Sequence, residues 1–217
     1  MNETTETKKS STIALVLWTM AFCFGYSILR YHIFGPVPWK DLSFFTLNKS
    51  ICFTSLVLLI MNFGFGPAKN LGLRIPDSWL NARMAIGIIA FLLVLLHAFM
   101  SLLLFSPAVY PQFFEVDSKM TLNAGLSMLG GVIAFIILWG YNLSFKTTLR
   151  EDMAFIAFIT SRKFLLWAML FTGAHLVFMG YSGWLNPQGW HGGMPPISLV
   201  SFALFLAGYV INFLGRE

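Results

Sequence analysis

Charged residues are scarce in this sequence, at 11% of 217, where soluble domains carry about 25%. Acidic side chains are scarcest: nine in all, at positions 3, 6, 41, 77, 115, 117, 151, 152 and 217, every one outside the long apolar runs. A proton-translocating path is expected to place Asp or Glu inside such runs, so their absence argues against a pump. There are only two cysteines, Cys23 and Cys52, in different runs. That excludes a disulfide framework or a thiolate metal cluster and leaves them as packing residues. No glycine-rich phosphate loop follows a strand pattern. The runs and their short connections occupy the chain, leaving no expected room for a soluble catalytic or nucleotide-binding domain.

Apolar residues dominate instead, at 57% of the sequence. A membrane-spanning helix needs roughly 20 of them in succession. Six stretches qualify, at about 12–34, 48–66, 83–106, 121–143, 163–181 and 195–214. The expected architecture is an all-α, six-helix transmembrane bundle over 12–217 behind a short cytoplasmic tail, 1–11, in contact with a lipid bilayer. Lysine and arginine set the orientation. With the N-terminus inside, ten basic residues (Lys8, Lys9, Lys69, Arg74, Arg83, Lys146, Arg150, Arg162, Lys163, Arg216) face the cytoplasm, and four (Arg30, Lys40, Lys49, Lys119) face out. Both termini are therefore expected inside. The net charge of +5 reads as this topology signal, with no nucleic-acid partner. Trp39, Tyr110, Trp184 and Trp190 fall where an outer aromatic belt would sit.

Two of the runs carry an imidazole. Residues 91–105 read FLLVLLHAFMSLLLF with His97, and residues 165–181 read LLWAMLFTGAHLVFMGY with His175. Both spans run from inside to outside, and the histidines lie 14 and 13 residues beyond Arg83 and Arg162. At 1.5 Å per residue both are roughly 20 Å above the cytoplasmic boundary. Two imidazoles at one depth on parallel helices can ligate one metal between them. In an apolar site with no acidic or thiolate ligand nearby, heme is the natural candidate. Thr172 and Ser101, each near a histidine, are candidate partners for the second ring nitrogens. Gly125, Ser127, Gly130, Gly131, Ala134, Gly173 and Ala174 offer either close approach to a macrocycle or ordinary small-residue helix packing. Phe91 and Trp167 lie between the inner face and the histidine level and are candidates for an electron relay. His32 and His191, near the outer side, are conceivable ligands for a shallow metal-chelate site but read more simply as polar loop residues.

The stretch RMAIGIIAFLLVLLHAFMSLLL, residues 83–104, resembles the third span of the STEAP metalloreductases and the wider ferric reductase-like transmembrane group. The shared pattern is Arg83 at the cytoplasmic edge, Gly87, Phe91 and a Leu-His pair ending at His97. IPDSWLNAR (75–83) is similar to the Pro-Asp-Trp-Leu turn before that span. LREDMAFIAFITSRKF (149–164), TGAHLVFMGYSGW (172–184) and MPP (194–196) resemble, in order, the approach to span five, its ligand segment and the Pro-Pro start of span six. The likeness covers about residues 70–214. Diheme relatives carry two histidines per helix, but here Met84 and Pro111 flank His97 at that spacing and Arg162 lies below His175.

The resemblance implies one heme b per chain with His97 and His175 as axial ligands, and a homotrimer. It implies electron transfer from a cytoplasmic flavin (FAD) or flavin reductase partner to an acceptor outside, as in a ferric reductase-type oxidoreductase. Trp79, Arg83, Arg150, Arg162 and Lys163 are the candidate contacts for that flavin or donor protein, or else simple positive-inside anchors. "FITS" has no counterpart of the glutamine in the family's Phe-Ile-Gln-Ser segment. A second reading is a heme anchor fed by the quinone pool and docked to an extracytoplasmic enzyme. A third is a heme-free transporter or scaffold whose histidines hydrogen-bond across helices. The expected location is a cell membrane, multi-pass, of the bacterial inner-membrane kind.

Overall fold

The computed structural model describes residues 3–144 and 153–215. Among the described residues seven α-helices follow one another: α1 (Glu3–Ile28), α2 (Leu47–Asn70), α3 (Asp77–Leu104), α4 (Leu122–Leu143), the short α5 (Met153–Ile159), α6 (Arg162–Trp184) and α7 (Ile197–Leu214). Among the described residues there is no strand, only an isolated bridge between Phe114 and Met120. Six helical segments among the described residues are long and apolar enough to cross a membrane: Thr12–Ile33, Trp39–Asn70, Asp77–Leu104, Leu122–Leu143, Met153–Trp184 and His191–Leu214. They match the six apolar runs. The helices overrun the runs at several ends because helix geometry stops at a cap, not where hydropathy falls. The stretch expected as a tail is itself largely helical, since α1 begins at Glu3.

The stops and starts are local chemistry. Pro76 precedes α3 in extended geometry and Asp77 opens its first turn, favourable against the helix dipole; Lys69 pairs with Asp77 at 2.9 Å across the turn. Gly72, at φ +86°, makes that turn, in a conformation that side-chain-bearing residues avoid. Thr121 Oγ1 accepts from Ala124 N at 3.3 Å and Ser161 Oγ from Phe164 N at 3.3 Å, capping α4 and α6 as short hydroxyl side chains do. The Pro195-Pro196 pair halts the preceding loop and launches α7.

α2 is the centre of the bundle. In its most apolar stretch 72% of residues are buried, against 22–28% in the other five spans. It pairs closely with α3, and α4 pairs closely with α6; α7 packs against both α2 and α6, while α3 and α4 touch only lightly. The main core joins Leu56, Leu58, Phe63, Ile86, Leu138, Met169, Leu176 and Phe205. Polar residues of α2 point inward: Asn48, Ser50, Thr54, Ser55 and Asn62 are all buried. Large apolar side chains face outward, among them Trp18, Phe22, Phe99, Leu102, Leu103, Trp139 and Phe213. That inversion of a soluble protein's pattern suits a bilayer, where backbone groups must be satisfied within helices and polar side chains find partners inside. Cys23 is buried beside Phe53 and Ile197 and Cys52 is half-buried; both are free thiols in packing positions.

Candidate functional site

His97 projects from α3 toward α2. Its Nδ1 lies 2.8 Å from Asn48 Oδ1 and 3.3 Å from Ser101 Oγ, while Asn48 Nδ2 donates to Ser101 Oγ at 3.1 Å. The small circuit is self-consistent when His97 Nδ1–H donates to the amide oxygen. His175 projects from α6 toward α4. Its Nδ1 lies 2.8 Å from the Ser127 carbonyl oxygen, which can only accept, so Nδ1 carries the proton. Ser127 Oγ lies 3.1 Å from the same nitrogen and donates to the His175 carbonyl at 3.0 Å. Both rings are thus held as the same tautomer, with the Nε2 lone pair unused. Among the described residues neither Nε2 makes a hydrogen bond, and the buried unpartnered side-chain atoms are Arg30 Nε and Asn62 Nδ2, not these. Both histidines are half-buried.

Helix packing explains how α6 seats its histidine. A Cβ on Gly131 would stand 2.9 Å from His175 Nδ1, and one on Gly130 would stand 3.1 Å from the His175 backbone nitrogen. The pair lets α4 close onto α6 at the level of the ring. Gly173 faces the Phe205 ring of α7. These glycines therefore serve helix contact, one of the two roles expected of them. Gly125 has open space where a Cβ would be, and Ala134 is buried.

Of the two polar partners expected for the histidines, Ser101 is in place and Thr172 is not. Thr172 Oγ1 donates to Ala168 O at 2.9 Å on its own helix. Asn48 and the Ser127 carbonyl supply the main contacts instead. Asn48 carried a faint sequence signal, standing in the polar triplet Asn48-Lys49-Ser50 at the head of an apolar run. A backbone carbonyl carries none.

The candidate cytoplasmic contacts separate into two groups. Trp79 packs at 5.5 Å against Phe65, and Arg83 Nε donates to Asn62 O at 2.9 Å, both tying α3 to α2. Arg162 donates to the carbonyls of Asn212 and Phe213 and lies over the Phe213 ring, closing the C-terminus of α7, where cations are favoured. Lys163 is exposed. Arg150 and Lys146 lie outside the described residues. Phe91 stacks on Phe135 across the light α3–α4 seam with centroids 5.9 Å apart, whereas Trp167, stacked on Phe171, is exposed.

His32 and His191 part company. His32 is buried and uses both nitrogens: Nδ1–H donates to Val37 O at 3.0 Å, and Nε2 accepts from Thr46 Oγ1 at 2.8 Å. Trp39 stacks on it at 4.6 Å. It is a structural residue with no lone pair to spare for a metal. His191 stays half-buried in the loop before α7. Of the expected aromatic belt, Trp39 is exposed, while Trp184 and Trp190 donate their indole N–H to Ser198 Oγ at 2.9 Å and Gly183 O at 3.0 Å. Tyr110 is buried with Phe113 and Ala124 and so is no belt residue.

Among the described residues no three of His, Cys, Asp or Glu come together. His97 and His175 each offer a neutral imidazole whose Nε2 makes no hydrogen bond among the described residues. That composition suits a metal already equatorially ligated, as in a porphyrin, better than a bare ion needing four or more protein ligands. The chain matches no known protein family and no curated protein.

Proposed function

We propose that the chain is a membrane electron-transfer protein, with His97 and His175 as the axial ligands of one b-type heme. The observation that supports this most directly is the matched tautomer. Metal-bound histidines characteristically donate the other ring N–H to an oxygen acceptor, which fixes the ring and makes the ligating nitrogen more basic. Both histidines here do so, through Asn48 Oδ1 and Ser127 O, and both leave Nε2 free of protein partners among the described residues. A heme held by His97 and His175 would supply reversible one-electron chemistry.

The protein's own share of the work is holding and insulating. α2 orients His97 through Asn48, α4 orients His175 through Ser127, and the outward-facing apolar side chains keep the level of the rings dry. The stacked Phe91–Phe135 pair lies at the α3–α4 seam on the cytoplasmic side of His97 and is the better-placed aromatic for a relay. In this reading electrons enter from the cytoplasm, from a flavin reductase or another reduced donor, and leave to an outer acceptor such as an oxidised metal. Arg162, committed to α7, is a helix cap in this scheme, leaving exposed Lys163 and Trp79 with half-buried Arg83 for the donor face. The STEAP-like resemblance and a bacterial cytoplasmic membrane accord with this scheme.

One observation favours a heme-free scaffold instead: His97 and His175 each bond a neighbouring helix, which by itself would justify a polar residue in a span. A dithionite-reduced minus oxidised absorbance spectrum of the purified protein, with a pyridine hemochrome count, separates the two. About one low-spin, bis-imidazole b-type heme per chain is expected. Absence of heme after expression with added precursor would assign the histidines to helix packing alone.

A further inference from the structure

The span that supplies Asn48 also carries Lys49, the next residue, and among the described residues its ammonium meets no carboxylate. Among the described residues the ion pairs are Lys69–Asp77 and Lys119–Asp117, both remote from it in sequence and at exposed sites. Lys49 Nζ instead lies over two rings, 4.9 Å from the centroid of Tyr110 and 5.5 Å from that of Phe45. Tyr31 packs edge-on against Phe45 at 5.3 Å, and Phe45 meets Tyr110 at 5.8 Å, so the amine sits in an aromatic enclosure. The enclosure adjoins the histidine site, because Asn48, the residue before Lys49, reaches His97.

An ammonium inside a span is costly, and such residues typically pair or serve a ligand. Attraction to aromatic faces offsets only part of that cost. It also leaves the ammonium's three N–H donors without a charged acceptor. Surface snorkelling does not describe the arrangement, because one of its two ring partners, Tyr110, is itself buried. The two charges that a b-type heme brings into a site are its propionate carboxylates, at one edge of the macrocycle. Resting on the heme reading above, the geometry points to Lys49 as the counter-ion of a heme propionate, with Tyr110 completing the enclosure. Lys49 thereby fixes which edge of the heme faces the enclosure, and it neutralises a carboxylate that would otherwise stand uncompensated in an apolar bundle.

The test compares protoheme with its dimethyl ester, whose propionates carry no charge, in reconstitution of heme-depleted full-length protein. Affinity and absorbance spectrum are followed for wild type, Lys49→Met, Lys49→Arg and Tyr110→Phe. Wild type is expected to prefer the free acid by roughly ten- to a hundredfold, the range for a charge-assisted hydrogen bond. Lys49→Met should bind both forms alike, with the bis-imidazole spectrum intact, because an apolar side chain of similar length suits the span. Lys49→Arg should restore the preference, and Tyr110→Phe should weaken it only slightly. A preference that survives in Lys49→Met overturns the assignment of Lys49 while leaving the heme reading standing. Failure of the wild type to bind either form overturns both.

Discussion

His97 and His175 sit in different halves of the bundle, and the halves hold them by different chemistry. α2 and α3 grip His97 through a side chain, the Asn48 amide, backed by Ser101. α4 and α6 grip His175 through a main-chain carbonyl, reached because two glycines allow the helices to close. A side-chain grip can be removed by one substitution. A carbonyl grip cannot, and yields only when the helix is pushed away. The same ring tautomer is therefore vulnerable at a polar residue on one side and at small residues on the other.

The largest effect should come from the rings themselves. His97→Ala or His175→Ala should each lower heme content to less than about one tenth of wild type, as counted by pyridine hemochrome. Membrane insertion should be unchanged. Full heme in both variants would sink the ligand assignment for both halves at once. Next comes Asn48→Leu, which removes the acceptor and leaves Ser101 as the only polar neighbour of His97 Nδ1. Loss of such a partner costs about 10–100-fold in affinity, to be read by heme titration, and Asn48→Asp should instead retain heme and lower its midpoint potential.

Gly131→Val attacks the other half. Its Cβ would meet His175 Nδ1 at 2.9 Å, so α4 and α6 must separate, at a cost of about 1–3 kcal/mol. The expected result is a lower thermal midpoint together with partial heme loss, and Gly125→Val, where a Cβ meets open space, should do neither. Ser127→Ala should be mildest. It deletes the hydroxyl bond to the His175 carbonyl, worth about 1 kcal/mol, but keeps the carbonyl that holds Nδ1. Heme affinity should stay within about threefold of wild type; a loss as large as that of Asn48→Leu would mean the two halves do not differ as the geometry indicates.

Much of this was readable from the chain. Six apolar runs become six long helices, because an apolar stretch of that length satisfies its own backbone only as a helix in an apolar medium. The turn before α3 was readable in Pro76 and Asp77. Partners were harder. Thr172 looked as suitable as Ser101, both being hydroxyls near a histidine, yet Thr172 turns back to its own helix while Ser101 joins Asn48. Arg162 read as a cytoplasmic anchor or donor contact and turned out to close α7, fifty residues away. Tyr110 read as an interfacial aromatic and lies buried beneath Lys49.

The sequence by itself determined the six long apolar helical segments and the two imidazoles within them, because these depend on local hydropathy and the fixed rise of a helix. Only the tertiary structure decided that α2 is central, that Asn48 rather than Thr172 orients a ring, and that Lys49 turns inward to an aromatic enclosure. Those outcomes depend on the rotation of each helix about its own axis and on which neighbours it meets, and both are set by side-chain packing between segments distant in sequence.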